Sequence, residues 1–223
     1  MHIALLGDST FDNRAYTEGG PDVVAHLTRL LVGGDRATLL ALDRAVIDDV
    51  YAQIAKLRGK LDPPGEVTHV ALSVGGNDLL GISAVLNRRA GTVADAVLML
   101  SEESSRFGTR YRALLDAVTE VGLPTVVCTV YGGAFDDPAE AATIETALRV
   151  FDHEILSAGL DRGLPVVDLR RACSSADDYW NPIEPSERGG AKIAAAVLAA
   201  FRAPRYEVGG PPVTVQGTGG LAG

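Results

Sequence analysis

His2-Ile3-Ala4-Leu5-Leu6, followed directly by Gly7-Asp8-Ser9-Thr10, sets the reading of the whole chain. The run is too short for a stable helix and lacks the polar alternation of a half-exposed strand, so it reads as a strand covered on both faces. Four more runs share that character, at residues 37–42, 67–74, 125–130 and 165–169. Longer amphipathic stretches at 22–31, 47–57, 93–121, 139–160 and 191–201 fill the intervals and read as helices, the third as one helix or two. Within 47–57, Ile47, Val50, Tyr51, Ile54 and Leu57 share one stripe, and Asp62-Pro63-Pro64-Gly65 follows as a breaker.

A β-α unit repeated five times predicts an α/β fold, specifically a three-layer α/β/α, flavodoxin-like, doubly wound five-stranded parallel sheet. Such sheets bind ligands beyond the carboxyl ends of their strands, so the loops after each run are where chemistry is sought. The 223 residues suit one domain, 1–202, and a Gly/Pro-rich tail, 203–223, with too little apolar surface to order itself.

Charge narrows the partners. The net charge is -9, from 29 acidic and 20 basic side chains, and the basic pairs Arg88-Arg89 and Arg170-Arg171 are short. That balance argues against nucleic acid and against an anionic membrane surface, both of which need clustered cations. The apolar residues 3–6 fall far short of a signal-peptide core, and no window of about 20 apolar residues occurs, which predicts a soluble, cytoplasmic protein. Cys128 and Cys173 stand in no metal-like spacing and read as buried or incidental thiols. No metal or organic cofactor is called for, and nothing points to an oligomeric state.

Three loops hold chemistry. Gly7-Asp8-Ser9-Thr10 puts a hydroxyl at the carboxyl edge of the first strand, where surrounding backbone N–H groups can stabilise an oxyanion; alternatively Asp8 and Ser9 only cap the turn. The third strand ends in Gly75-Gly76-Asn77-Asp78, whose Asn amide is a neutral donor suited to an oxyanion, or whose Asn or Asp caps a helix. Asn181-Pro182-Ile183-Glu184-Pro185-Ser186-Glu187-Arg188-Gly189 precedes the last helix; Ser186 can cap it while the prolines fix the loop that presents Glu184.

In order, these places resemble the blocks of the SGNH/GDSL hydrolase superfamily. There the Ser of G-D-S is the nucleophile, the Asn of G-x-N-D is an oxyanion donor, and D-x-x-H-P-x-x-x-G supplies an acid and a histidine. Gly7-Asp8-Ser9 and Gly75-Gly76-Asn77-Asp78 match fully. The third block keeps its frame but holds Asn181 and Glu184 at the two catalytic places, so the chain is similar to an atypical member with Glu in place of the catalytic His. The resemblance spans about residues 1 to 202. Family members commonly carry a Gly after the second strand whose N–H is a further oxyanion donor, and the best register puts Arg44 there. Its N–H would survive, and its guanidinium could receive an anionic group, pair with Glu184, or simply lie exposed.

None of the four histidines is an evident substitute. His2 and His69 begin their strands, about 20 Å from the Ser9 edge, and His26 and His153 fall within helices. Glu184 can accept the Ser9 proton, and it becomes a stronger base if burial by Tyr179, Trp180, Pro182 and Ile183 raises its pKa. An Asn181 amide can donate to that carboxylate where an Asp would repel it. The resemblance implies hydrolysis of a small-molecule ester through an acyl-enzyme on Ser9, with the N–H of Ser9, Asn77 and Arg44 as oxyanion hole; Tyr131 and Trp180 are further candidates for substrate contact. The rival reading is a degenerate hydrolase fold that binds a ligand or partner without turnover.

Overall fold

In the computed structural model the described residues are 1–61 and 66–203. The expected breaker at 62–65 and, apart from Ala203, the expected tail lie outside them. Five parallel strands, β1 (His2–Gly7), β2 (Arg36–Leu39), β3 (His69–Ser73), β4 (Thr125–Cys128) and β5 (Val166–Val167), form one sheet in the order β2-β1-β3-β4-β5. The chain winds from β1 outward to β2 and then returns to β3 on the other side, so the topological switch point lies between β1 and β3.

Alternate residues of β1 serve opposite layers. Ile3 and Leu5 pack on the side of α1 (Val23–Leu30) and α7 (Glu187–Arg202), whereas Ala4 and Leu6 pack on that of α2 (Ile47–Gly59), α4 (Val93–Thr119) and α5 (Pro138–Leu160). All six residues of β1 are buried, as its continuous apolar run requires. The stretch 93–121 is a single helix, opened by Thr92, whose hydroxyl accepts from Asp95 N–H at 3.1 Å.

Three expectations change. β5 is only two residues long because Asp168 caps a short helix, α6 (Leu169–Ala172), accepting from Arg170 N–H at 3.2 Å. A further helix, α3 (Gly76–Ile82), and a 3-10 turn over Ser83–Asn87 follow β3. In α2, Tyr51 is 43% exposed and Gln53 is fully buried, because Gln53 turns inward to bond the backbone of β1.

Candidate active site

The site begins with the end of β1. Gly7 has φ 133°, and a Cβ there would sit 1.7 Å from the Ser73 carbonyl oxygen, so only glycine fits between β1 and β3. Its N–H donates to Gln53 Oε1 at 2.7 Å, and its carbonyl accepts from Gln53 Nε2 at 2.8 Å and from Leu42 N–H at 3.1 Å. The chain therefore leaves the sheet at a fixed angle, and Ser9 projects into a cavity of about 300 Å³. Asp8, beside it, accepts from Thr10 N–H at 3.0 Å and is so buried that its pKa rises to about 6.

Asn77 and Glu184 line the same cavity. Asn77 lies in the first turn of α3, whose N-cap is Gly75 at φ 133°. One of its amide hydrogens goes to the Ala45 carbonyl at 3.0 Å, which ties the side chain to the loop after β2. Asp78 caps at a distance: it accepts from Ile47 N–H at 2.9 Å, at the start of α2, and pairs with Arg110 at 3.0 Å. The loops after β1, β2 and β3 are thus bound to one another.

The Glu184 loop is held from several sides. Trp180 N–H donates to the Glu184 carbonyl at 2.9 Å, Tyr131 OH to the Ile183 carbonyl at 2.7 Å, and Asn13 Nδ2 to the Pro185 carbonyl at 3.2 Å. Ser186 caps α7 by accepting from Gly189 N–H at 3.2 Å. Glu184 is buried, and burial is the main cause that lifts its pKa from 4.5 to about 7; hydrogen bonding with the Ser9 side chain works against that rise, while Asp43 and Asp8 add to it. Its Oε2 is buried without a hydrogen-bond partner.

Other expected residues stand elsewhere. Asn181 acts through its oxygen, not its nitrogen: Oδ1 accepts from the N–H groups of Ile183 and Glu184 at 2.9 and 2.8 Å, so it shapes the backbone and leaves the carboxylate alone. Arg44 has φ 62°, a conformation that suits glycine, but its side chain is 85% exposed and lies 3.9 Å from Asp43; no ion pair with Glu184 forms. Tyr131 lines the cavity with its ring while its hydroxyl is occupied at Ile183. Trp180 is 49% exposed, packs at a tilt against Tyr16 with ring centroids 5.6 Å apart, and faces a separate groove on the side of α7, because the residues of a tight loop point to different sides. None of the four histidines, all among the described residues, lines the cavity. His2 is bound to Thr38 at the far end of the sheet, and His69 packs edge-on against Phe201.

Sequence reasoning missed Gln53, Asn13 and Asp152. Asp152 is fully buried in α5, accepts from Val130 N–H at 3.0 Å and stands 3.4 Å from Arg170, fixing the loop that carries Tyr131. Each is a polar residue on a helix or turn whose partner is backbone far away in sequence, a signal that no local pattern carries. Among the described residues, no group of three or more His, Cys, Asp or Glu side chains could hold a metal ion, and no helix is long and apolar enough to cross a membrane.

Residues 5–192 match the GDSL-like Lipase/Acylhydrolase family. The chain belongs to that family. Solved structures agree with the GDSL-like fold. A lipase from a goat rumen metagenome superposes with a TM-score of 0.69 at 16% identity, covering 90% of this chain and 97% of that one. An extracellular lipase from Streptomyces rimosus gives 0.63 at 15% identity, with 90% and 99% covered. A lipase/acylhydrolase from Enterococcus faecalis gives 0.60 at 17%, with 93% and 99% covered. No curated protein matches this GDSL-like chain in sequence.

Proposed function

We propose that the protein hydrolyses carboxylic esters through an acyl-enzyme on Ser9, with Glu184 as the base. The observation that carries this reading is the buried Ser9–Glu184 pair at the head of a cavity, with the carboxyl pKa lifted to about 7. A base of that strength is about half ionised at neutral pH, able both to take a proton and to return it.

Ser9 Oγ attacks the ester carbonyl carbon as its proton passes to Glu184. The oxyanion that forms faces the N–H of Ser9, the second Asn77 amide hydrogen and the backbone N–H of Arg44, whose glycine-like conformation supports that assignment. Collapse breaks the bond to the alcohol oxygen, which leaves with the proton from Glu184. Water then attacks the acyl-enzyme by the same route, releasing the acid and restoring Ser9. Neither Asn181 nor Trp180 has a part in the chemistry; the first shapes the Glu184 loop.

Intact-mass analysis after incubation with a fluorophosphonate tests the reading. One adduct on the wild type, none on Ser9→Ala, and loss of ester hydrolysis by at least about 10³-fold in that variant are expected. Ester hydrolysis that survives in Ser9→Ala overturns the assignment. Saturable ligand binding with neither adduct nor turnover favours the degenerate binding protein.

A further inference from the structure

We infer that the cavity beneath Ser9 is a site for an aliphatic acyl chain, so that the substrates are esters of acids well beyond acetyl. This rests on the reading of Ser9 as nucleophile. Asp8, Ser9, Asn77 and Glu184 form a polar cluster at one end of the cavity, and Ser83 and Glu140 add polar groups elsewhere in its lining. Most of the remaining wall is apolar: Leu79, Ile82 and Leu86 from α3 and the turn after it, and Ile144, Leu148 and Phe151 from α5.

The α5 residues explain the shape. Glu140, Ile144, Ala147, Leu148 and Phe151 line the cavity at helical spacing, running from an exposed carboxylate in the first turn to the buried ring of Phe151. Leu80 and Leu86, 49% and 38% exposed, line the cavity and also meet solvent, giving an apolar entry. A volume of about 300 Å³ equals that of about ten water-sized groups, enough to hold an octanoyl chain whole. An acetyl group would leave most of the apolar wall without a partner, which forfeits its dispersion contacts. A chain with a terminal carboxylate would meet Glu140 at the rim or the Asp8 and Glu184 carboxyls at the head, all of like charge.

Steady-state hydrolysis of p-nitrophenyl acetate, butanoate, hexanoate and octanoate tests this. The kcat/KM should climb by about fourfold per methylene up to octanoate. A flat series, or one highest for acetate, overturns the inference while leaving the esterase reading intact. Ala147→Phe, which fills the middle of the cavity, should lower the octanoate-to-acetate ratio of kcat/KM by about tenfold or more. Because that change can disturb the core, Leu86→Ser at the exposed rim is measured beside it and should lower the ratio in the same direction by about fivefold. Unchanged ratios in a folded variant count against the site. If no ester is turned over, the reading of Ser9 fails separately. Calorimetric titration with octanol, a neutral probe that the carboxylates do not repel, then decides: binding weakened by Leu86→Ser keeps the chain site, and no binding removes it.

Discussion

Gln53 and Gly7 are joined by two hydrogen bonds, one in each direction, across the layer between α2 and the end of β1. The backbone two residues before Ser9 is thereby held by a fully buried side chain, in a place where Gly7 has no side chain of its own to pack. Gln53→Met keeps the approximate volume but leaves the Gly7 N–H unpaired, since only its carbonyl has another partner, Leu42. A loss of roughly 1–3 kcal/mol in urea unfolding is expected. The kcat should fall with KM nearly unchanged, because the angle of Ser9 is altered more than the cavity. An unaffected kcat would show that the turn holds its shape without Gln53.

Arg44 gives a second test. A non-glycine residue at φ 62° carries a conformational cost of about 1–2 kcal/mol, part of which a glycine would give back through its freer unfolded chain. Arg44→Gly is therefore expected to stabilise the fold by roughly 0.5–1 kcal/mol, read from urea melts. Hydrolysis of neutral esters should stay within about twofold, because the backbone N–H assigned to the oxyanion remains. A large fall in kcat/KM would give the guanidinium a role on the substrate that its exposure does not suggest.

How far the sequence carried can be seen in particular residues. The ends of β1 and β3 were legible because continuous apolar runs stop abruptly at glycines, and those two ends are what bring Ser9 and Asn77 to one crevice at the switch point. Glu184 was legible from its frame before α7. Trp180 and Asn181 were misplaced because nearness along a tight loop does not fix which way side chains point, and Tyr51 was counted in the apolar stripe while its neighbour Gln53 went inward. Apolar periodicity cannot register a polar side chain that is buried to satisfy backbone.

Glu184 provides the test that joins chemistry to stability. Acting as base it must be ionised, so kcat/KM should fall as pH drops through about 7, the value to which burial has lifted its pKa. An ordinary histidine, near 6.5, would give a similar limb, so the rate profile alone does not identify the carboxylate. Its effect on stability does. A carboxyl group whose pKa is raised by folding favours its protonated form, so its contribution is fully present below the unfolded value and is lost as pH rises through the folded one. The relevant window runs from 4.5 to about 7. Glu184→Gln removes that titration. The variant should match the wild type in stability at about pH 4 and exceed it by roughly 1–3 kcal/mol at about pH 8, while turnover drops by about 10² or more because an amide takes no proton. Urea melts at both pH values beside ester hydrolysis measure all three quantities. Full activity in Glu184→Gln, or a stability difference that does not change with pH, overturns Glu184 as the buried base, whereas a variant that is steadier in alkali and nearly inactive means that the fold holds this carboxylate at a cost for the sake of the serine beside it.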